Sequence, residues 1–217
     1  MKRIISLILL VCVCLASVFV LASCDEEALR ELTNKQWQTA VDSNNFNNVT
    51  ITATATIEEM PANQITKITE TGVYRKETVG EGEQSYSFAV YFEGEEAVAQ
   101  KNMFLTVFFE LIKNQSNFDY DEANDQYVAP NDVTVTVYPN GPEGGIKDVV
   151  LMQNGIVKFD ENYNLSYFSC TLTETIYYGD ATEPEYPPEA IDTVWMVGDY
   201  GKTVISETEK AEGSQAQ

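Results

Sequence analysis

The chain contains no histidine. That removes the general base of a Ser-His-Asp hydrolase and the imidazole ligand of most zinc and transition-metal sites. Basic residues are scarce too: 13 Lys and Arg stand against 34 Asp and Glu in 217 residues, a net charge of -21. Nucleic-acid binding requires basic patches that neutralise phosphates, so that class is excluded. An anionic membrane surface repels such a chain. No repeat of 20 to 50 residues and no long linker divides the sequence. The one glycine-rich stretch, "GPEGG" at Gly141 to Gly145, lacks the Lys and the following apolar helix of a phosphate-binding loop. The acidity itself reads as solubility on an exposed surface.

What is present begins at the N-terminus. Lys2 and Arg3 precede 19 uncharged residues, Ile4 to Ala22, apolar on every face. A run of about 20 apolar residues matches the thickness of a bilayer, whereas a helix of a soluble core carries a polar stripe. The run therefore reads as a secretory signal or a retained anchor. Leu21-Ala22-Ser23-Cys24 at its end resembles the lipobox of bacterial lipoproteins: an aliphatic residue, two small residues, then Cys. The resemblance implies that the Cys24 thiol accepts a diacylglyceryl group and that residues 1–23 are cleaved off. The acyl chains would then hold the protein on the membrane, since each buried methylene is worth about 0.8 kcal/mol.

With that cleavage 194 residues remain, with 11 basic against 34 acidic, long enough for one domain without disulfides. Of Cys12, Cys14, Cys24 and Cys170, two leave with the signal and one is acylated. Cys170, in the alternating run "SYFSCTLTE", reads as a small apolar filler.

Residues 24–32 read as the lipidated Cys and an acidic tether, 33–206 as a single antiparallel α+β domain, and 207–217 as a disordered tail. In "TNKQ", Thr33 and Gln36 have capping-box spacing, and Trp37, Ala40 and Val41 share a face behind them. "VTITATATI" alternates over nine residues, with Val49, Ile51, Ala53, Ala55 and Ile57 on one face and four Thr on the other. After a turn at "MPAN", "QITKITETGVYRKETV" reads as one longer strand, and "SYSFAVYFE" as the next. Phe104, Val107, Phe108, Leu111 and Ile112 recur at helical spacing, with Glu95 and Glu96 at the helix start. "NFDYDEANDQYVA" reads as a hairpin and "DVTVTVYPN" as a strand. "DVVLMQNGIVKFDEN" reads as a second hairpin turning at Asn-Gly. "LSYFSCTLTETIYY" is a long strand, and "DTVWMVGDYGKTVIS" a final strand pair. About eight strands and two main helices define a curved antiparallel sheet with helices covering one face.

Few residues suggest chemistry. Asp119, Asp121 and Asp125 invite calcium, but Ala123 and Pro130 occupy positions where an EF-hand loop needs ligands. Carboxylate pairs that could hydrolyse glycosides are inevitable among 34 acidic residues, and no local motif selects one. The expectation is a non-enzyme, without cofactor or metal.

The order of elements, an acylated Cys, a Trp-bearing helix, a long alternating strand pair, a Phe-rich helix and then hairpins, resembles the LolA/LppX-like group of bacterial lipoproteins. The resemblance spans roughly residues 33–205. It implies a half-open β-barrel around helices, an apolar cavity, and carriage or sensing of a lipid or other lipophilic molecule at the cell envelope. The expected lining is Val49, Ile51, Ala53, Phe88, Val90, Phe104 and Phe108. The alternative is a surface module whose Tyr177, Tyr178 and Tyr186 meet a protein or cell-wall glycan. Either way a monomer is expected, lipid-anchored and facing away from the cytoplasm. Asp25 after the lipidated Cys implies inner-membrane retention in a two-membrane host.

Overall fold

Alternation over long stretches builds the sheet. The computed structural model describes residues 31–57, 59–138, 145–179, 181–184 and 186–214, the side chains of Glu83 and Phe104 excepted. The segment 1–23 and the lipidation site Cys24 lie outside the described residues. Ten antiparallel strands run β1 (Val49–Ile57), β2 (Met60–Ile68), β3 (Gly72–Val79), β4 (Tyr86–Glu93), β5 (Asp119–Asp121), β6 (Gln126–Val128), β7 (Val133–Val137), β8 (Ile146–Phe159), β9 (Leu165–Tyr178) and β10 (Ala190–Gly198). They pair in the order β4-β3-β2-β1-β10-β9-β8-β6-β5, and β7 also pairs with β8. The sheet does not close among the described residues. Among the described residues three α-helices accompany it: α1 (Asn34–Ala40), α2 (Gly94–Ile112) and α3 (Glu207–Ser214).

Because side chains alternate across a sheet, the register fixes which residues share a face. On the inner face one row reads Phe92, Val73, Ile68 and Val49, the next Val90, Arg75, Thr66, Ile51 and Val197. A third reads Phe88, Glu77, Gln64, Ala53, Trp195 and Phe168. The threonines of β1 take the outer face. The expected α+β class and curved antiparallel sheet hold; the strands and helices are more numerous than expected, and the helices lie on both faces of the sheet instead of one.

The helices fit their predicted starts. Thr33 Oγ1 accepts from the Gln36 amide at 3.3 Å, and Gln36 Oε1 accepts from the Thr33 amide at 2.9 Å, completing the capping box. Trp37 and Phe46 are fully buried, and their cluster takes in Leu105, Phe108, Leu111 and Ile112 of α2. α2 packs against β3, β4 and β7, which lie toward opposite edges of the sheet.

Four expectations are corrected. The long strand at 64–79 breaks into β2 and β3, because Thr69 and Gly72 close a tight turn: the Thr69 amide donates to Gly72 O at 2.9 Å and the Gly72 amide to Thr69 Oγ1 at 3.1 Å. The "MPAN" residues belong to β2, with Pro61 near its start. The Asn-Gly at 154–155 makes no hairpin. β8 passes straight through it with a bulge, and Asn154 takes the positive φ of 54° that the bulge needs. The final pair is one strand, β10, followed by irregular chain that is tied to β1 through Thr50 and Thr203.

The tail at 207–217 is corrected too: its described part, Glu207–Ser214, is α3. Ser206 and Glu209 form the reciprocal bonds of a second capping box at its start. α3 docks on the outer face of β3 and β4 above a small core of Tyr74, Ala89, Tyr91 and Ile205. Tyr74 Oη donates to Glu212 at 2.9 Å, and Lys67 and Lys76 pair with Glu209 and Glu212 at 2.7 Å each. Gly213 permits the contact: a Cβ there would lie 2.6 Å from the Val90 and Tyr91 backbone. Gly213→Ala is expected to push α3 off the sheet at a cost of about 1–3 kcal/mol. Thermal unfolding should show a fall of several degrees, and hydrogen exchange should quicken at α3 amides; unchanged exchange would refute the docking role.

Candidate inner-face binding site

The inner face is covered unevenly. At one end of the strands the packing is dense: Val49, Ile68, Leu165 and Phe168 have no exposed surface, and Val73 retains 1%. The Trp37 indole N–H donates to the Ile112 carbonyl at 2.8 Å, satisfying a group that the end of α2 would otherwise leave unbonded. Phe108 sits edge-on to Phe46, Phe168 and Trp195, with centroids 5.4 to 6.1 Å away. Toward the other end the same face opens. Phe88 is 48% and Tyr86 64% exposed, and Val90, Ala55, Gln64, Leu172, Thr193 and Trp195 are only half-buried.

The residues expected to line a cavity divide between these zones. Val49, Ile51, Ala53, Phe88 and Val90 share the inner face in three adjoining rows. Of these, Val49, Ile51 and Ala53 are buried in the packed part, as is Phe108 on α2, while Phe88 and Val90 lie on β4 beside the open part. Phe104 belongs to α2, one turn before Phe108, and its side chain is outside those described.

The sequence reading missed the polar strip between them. Arg75 Nη2 pairs with Glu77 Oε2 at 3.1 Å, the side chains 26% and 31% exposed. Gln64 Nε2 donates to the buried Thr66 hydroxyl at 3.0 Å. Both pairs lie on β2 and β3, where either alternation phase mixes apolar and polar residues, so no sequence signal marks which face is inner. Trp195 was missed too. It stacks on Phe168 at 5.0 Å with the rings 14° apart and stays half-buried. The result is an amphipathic surface: aromatic and aliphatic side chains on β1, β4 and β10, with amide, guanidinium and carboxylate groups between them. Such a surface suits a ligand with an apolar body and a hydrogen-bonding head.

The other candidate residues lie apart. Cys170 is buried on the inner face beside Thr193, and burial pushes its thiol up to about 12, so it is an inert filler. Asp121 accepts from Asn124 at 2.7 Å and Gln126 at 3.2 Å, and Asp125 from Tyr120 at 2.8 Å, so these two carboxylates are satisfied within the hairpin, while Asp119 is exposed at the start of β5. Tyr177 stacks under Lys147 Nζ at 5.2 Å, while Tyr178 and Tyr186 are 48% and 67% exposed. No helix among the described residues is long and apolar enough to cross a membrane. A scan against protein-family models gives no match, and no curated protein matches the chain.

One acidic group stands out. Asp148 on β8 is 4% exposed, hydrogen-bonds Glu174 of β9, and leaves its Oδ1 without a partner. Burial first, then the bond and charge of Glu174, push its carboxyl up to about 8 from 3.8. Because this folded value lies above the unfolded one, the folded state holds the extra proton between them. The stability contribution is complete below about pH 4 and is lost as pH rises through about 8. Asp148→Asn should therefore match the wild type near pH 4 and melt at a higher temperature near pH 9. Parallel melting profiles from pH 4 to 9 would contradict this.

Proposed function

We propose that this chain is a lipid-anchored lipoprotein of the bacterial envelope whose domain binds a lipid or lipophilic molecule without catalysing a reaction. The observation that carries the binding reading is the open end of the inner face. Phe88, Val90 and Trp195 flank the Gln64, Arg75 and Glu77 strip there, on a face otherwise packed solid. In this reading the sheet acts as a half-open barrel with α2 laid between its edges, and the ligand's apolar body lies against Trp195 and β4. The sequence Leu21-Ala22-Ser23-Cys24 supports the anchor, with acyl chains on Cys24 holding a domain that faces away from the cytoplasm. The domain works as a monomer.

Two measurements test this. Metabolic labelling with palmitate should mark the wild type and leave Cys24→Ser unlabelled; equal labelling would overturn the anchor. Native mass spectrometry of the full chain, released from detergent micelles, should show a mass beyond the Cys24 adduct that organic extraction removes and identifies as a lipid. Phe88→Ser should lower its occupancy about fivefold with the melting temperature held, since a buried aromatic contact is lost. A wild type that carries no mass beyond its acyl chains would sink the binding reading.

A further inference from the structure

The outer face carries a second, chemically different surface. A groove of about 660 Å³ lies across β2, β1, β10 and β9, within the usual size of small-molecule sites. The register explains its shape. Asn63, Thr54, Val194 and Ser169 stand side by side on four neighbouring strands. In the adjoining row Asp192 faces Thr171, whose hydroxyl donates to Asp192 Oδ1 at 2.6 Å. These side chains are short, so the floor is low, and Tyr167 stands beside it with Lys158 Nζ 5.7 Å from its ring centre. The bulge in β8 turns the Asn154 amide toward the same place, with Nδ2 3.5 Å from Thr171 Oγ1. That is the work of the Asn-Gly pair that makes no hairpin.

The lining chemistry narrows the occupant. No Lys or Arg lines the groove and one carboxylate does, so an anion is disfavoured. A single carboxylate is too few for a metal cage. The floor mixes hydroxyl, amide and carboxylate groups, a set that both donates and accepts, with the small apolar surfaces of Pro61, Ala62 and Val194, a mixture that matches the hydroxyls and C–H faces of a sugar. We infer that this groove binds a neutral saccharide, with Asp192, Asn63 and Asn154 engaging sugar hydroxyls and the Tyr167 ring flanking a pyranose face. The inference rests on the outer face alone and stands independently of the lipid-binding reading.

The test is a printed array of neutral and acidic oligosaccharides, probed with the full chain in a detergent that has no sugar headgroup. Binding to neutral saccharides is expected. Each hydrogen bond lost in Asp192→Ala or Asn63→Ala should weaken it about fivefold, and the double variant by more than tenfold. Both positions are exposed, so the melting temperature should hold. Absence of any neutral ligand, binding to acidic glycans alone, or full binding by the double variant would each overturn the inference.

Discussion

The Trp37 indole is the fixed point of the fold. Its N–H reaches the Ile112 carbonyl at 2.8 Å, while its rings meet Phe118, Tyr127 and Phe159 with centroids 5.0 to 5.4 Å away. A buried carbonyl without a donor costs about 1–3 kcal/mol, so the position of the last turn of α2 is tightly specified. A 19-residue helix is about 28 Å long, and its other end is set by the turn out of β4. With both ends fixed, the course of α2 over the inner face is fixed as well. What it covers becomes core, and what it leaves becomes the amphipathic surface at the far end of the strands.

The two faces obey different constraints. The inner face buries polar groups where they find partners, as Gln64 does with Thr66, while Asp148, whose Oδ1 has none, avoids burying a charge by keeping a proton. Among the described residues, the outer face is open at the groove across β2, β1, β10 and β9 but roofed at β3 and β4, where α3 lies. The β3–β4 hairpin is therefore packed on both sides. A charged ladder from Lys67 and Lys76 to Glu209 and Glu212 runs along its outer surface. Such partly exposed pairs add little stability singly, but together they fix the position of the helix.

How legible this was depended on the length of each signal. Nine residues of strict alternation placed β1, and the Thr33–Gln36 spacing placed the start of α1 to the residue. The Phe-rich periodicity placed α2. Short signals failed when tertiary structure offered another use for them. Asn-Gly permits a positive φ, and β8 used it for a bulge because β9 continues opposite on both sides. Ser206 and Glu209 had the same spacing as the first capping box, but the polar residues after them concealed a helix whose buried contact is a glycine. Of the proposed binding surface, Phe88 and Val90 were legible as one face of an alternating strand. Trp195 and the Arg75–Glu77 pair were not, because their role follows from which strands become neighbours.

One feature of the sheet bears on how these molecules treat each other. β4 ends the strand order, and from Tyr86 to Phe92 it runs seven residues without a charge, with Tyr86 and Phe88 largely exposed. An uncharged, β-prone edge that no other strand among the described residues pairs invites a second copy to add its own edge alongside. Neither bulge nor lysine guards it. The defence lies in the rest of the chain, whose net charge of -21 makes any two copies repel before their edges meet. Repulsion of this kind reaches about 8 Å at physiological ionic strength and about 3 Å in molar salt. The colloidal behaviour of the protein is thus set by its surroundings: dispersed in dilute buffer, and prone to edge-to-edge association in brine.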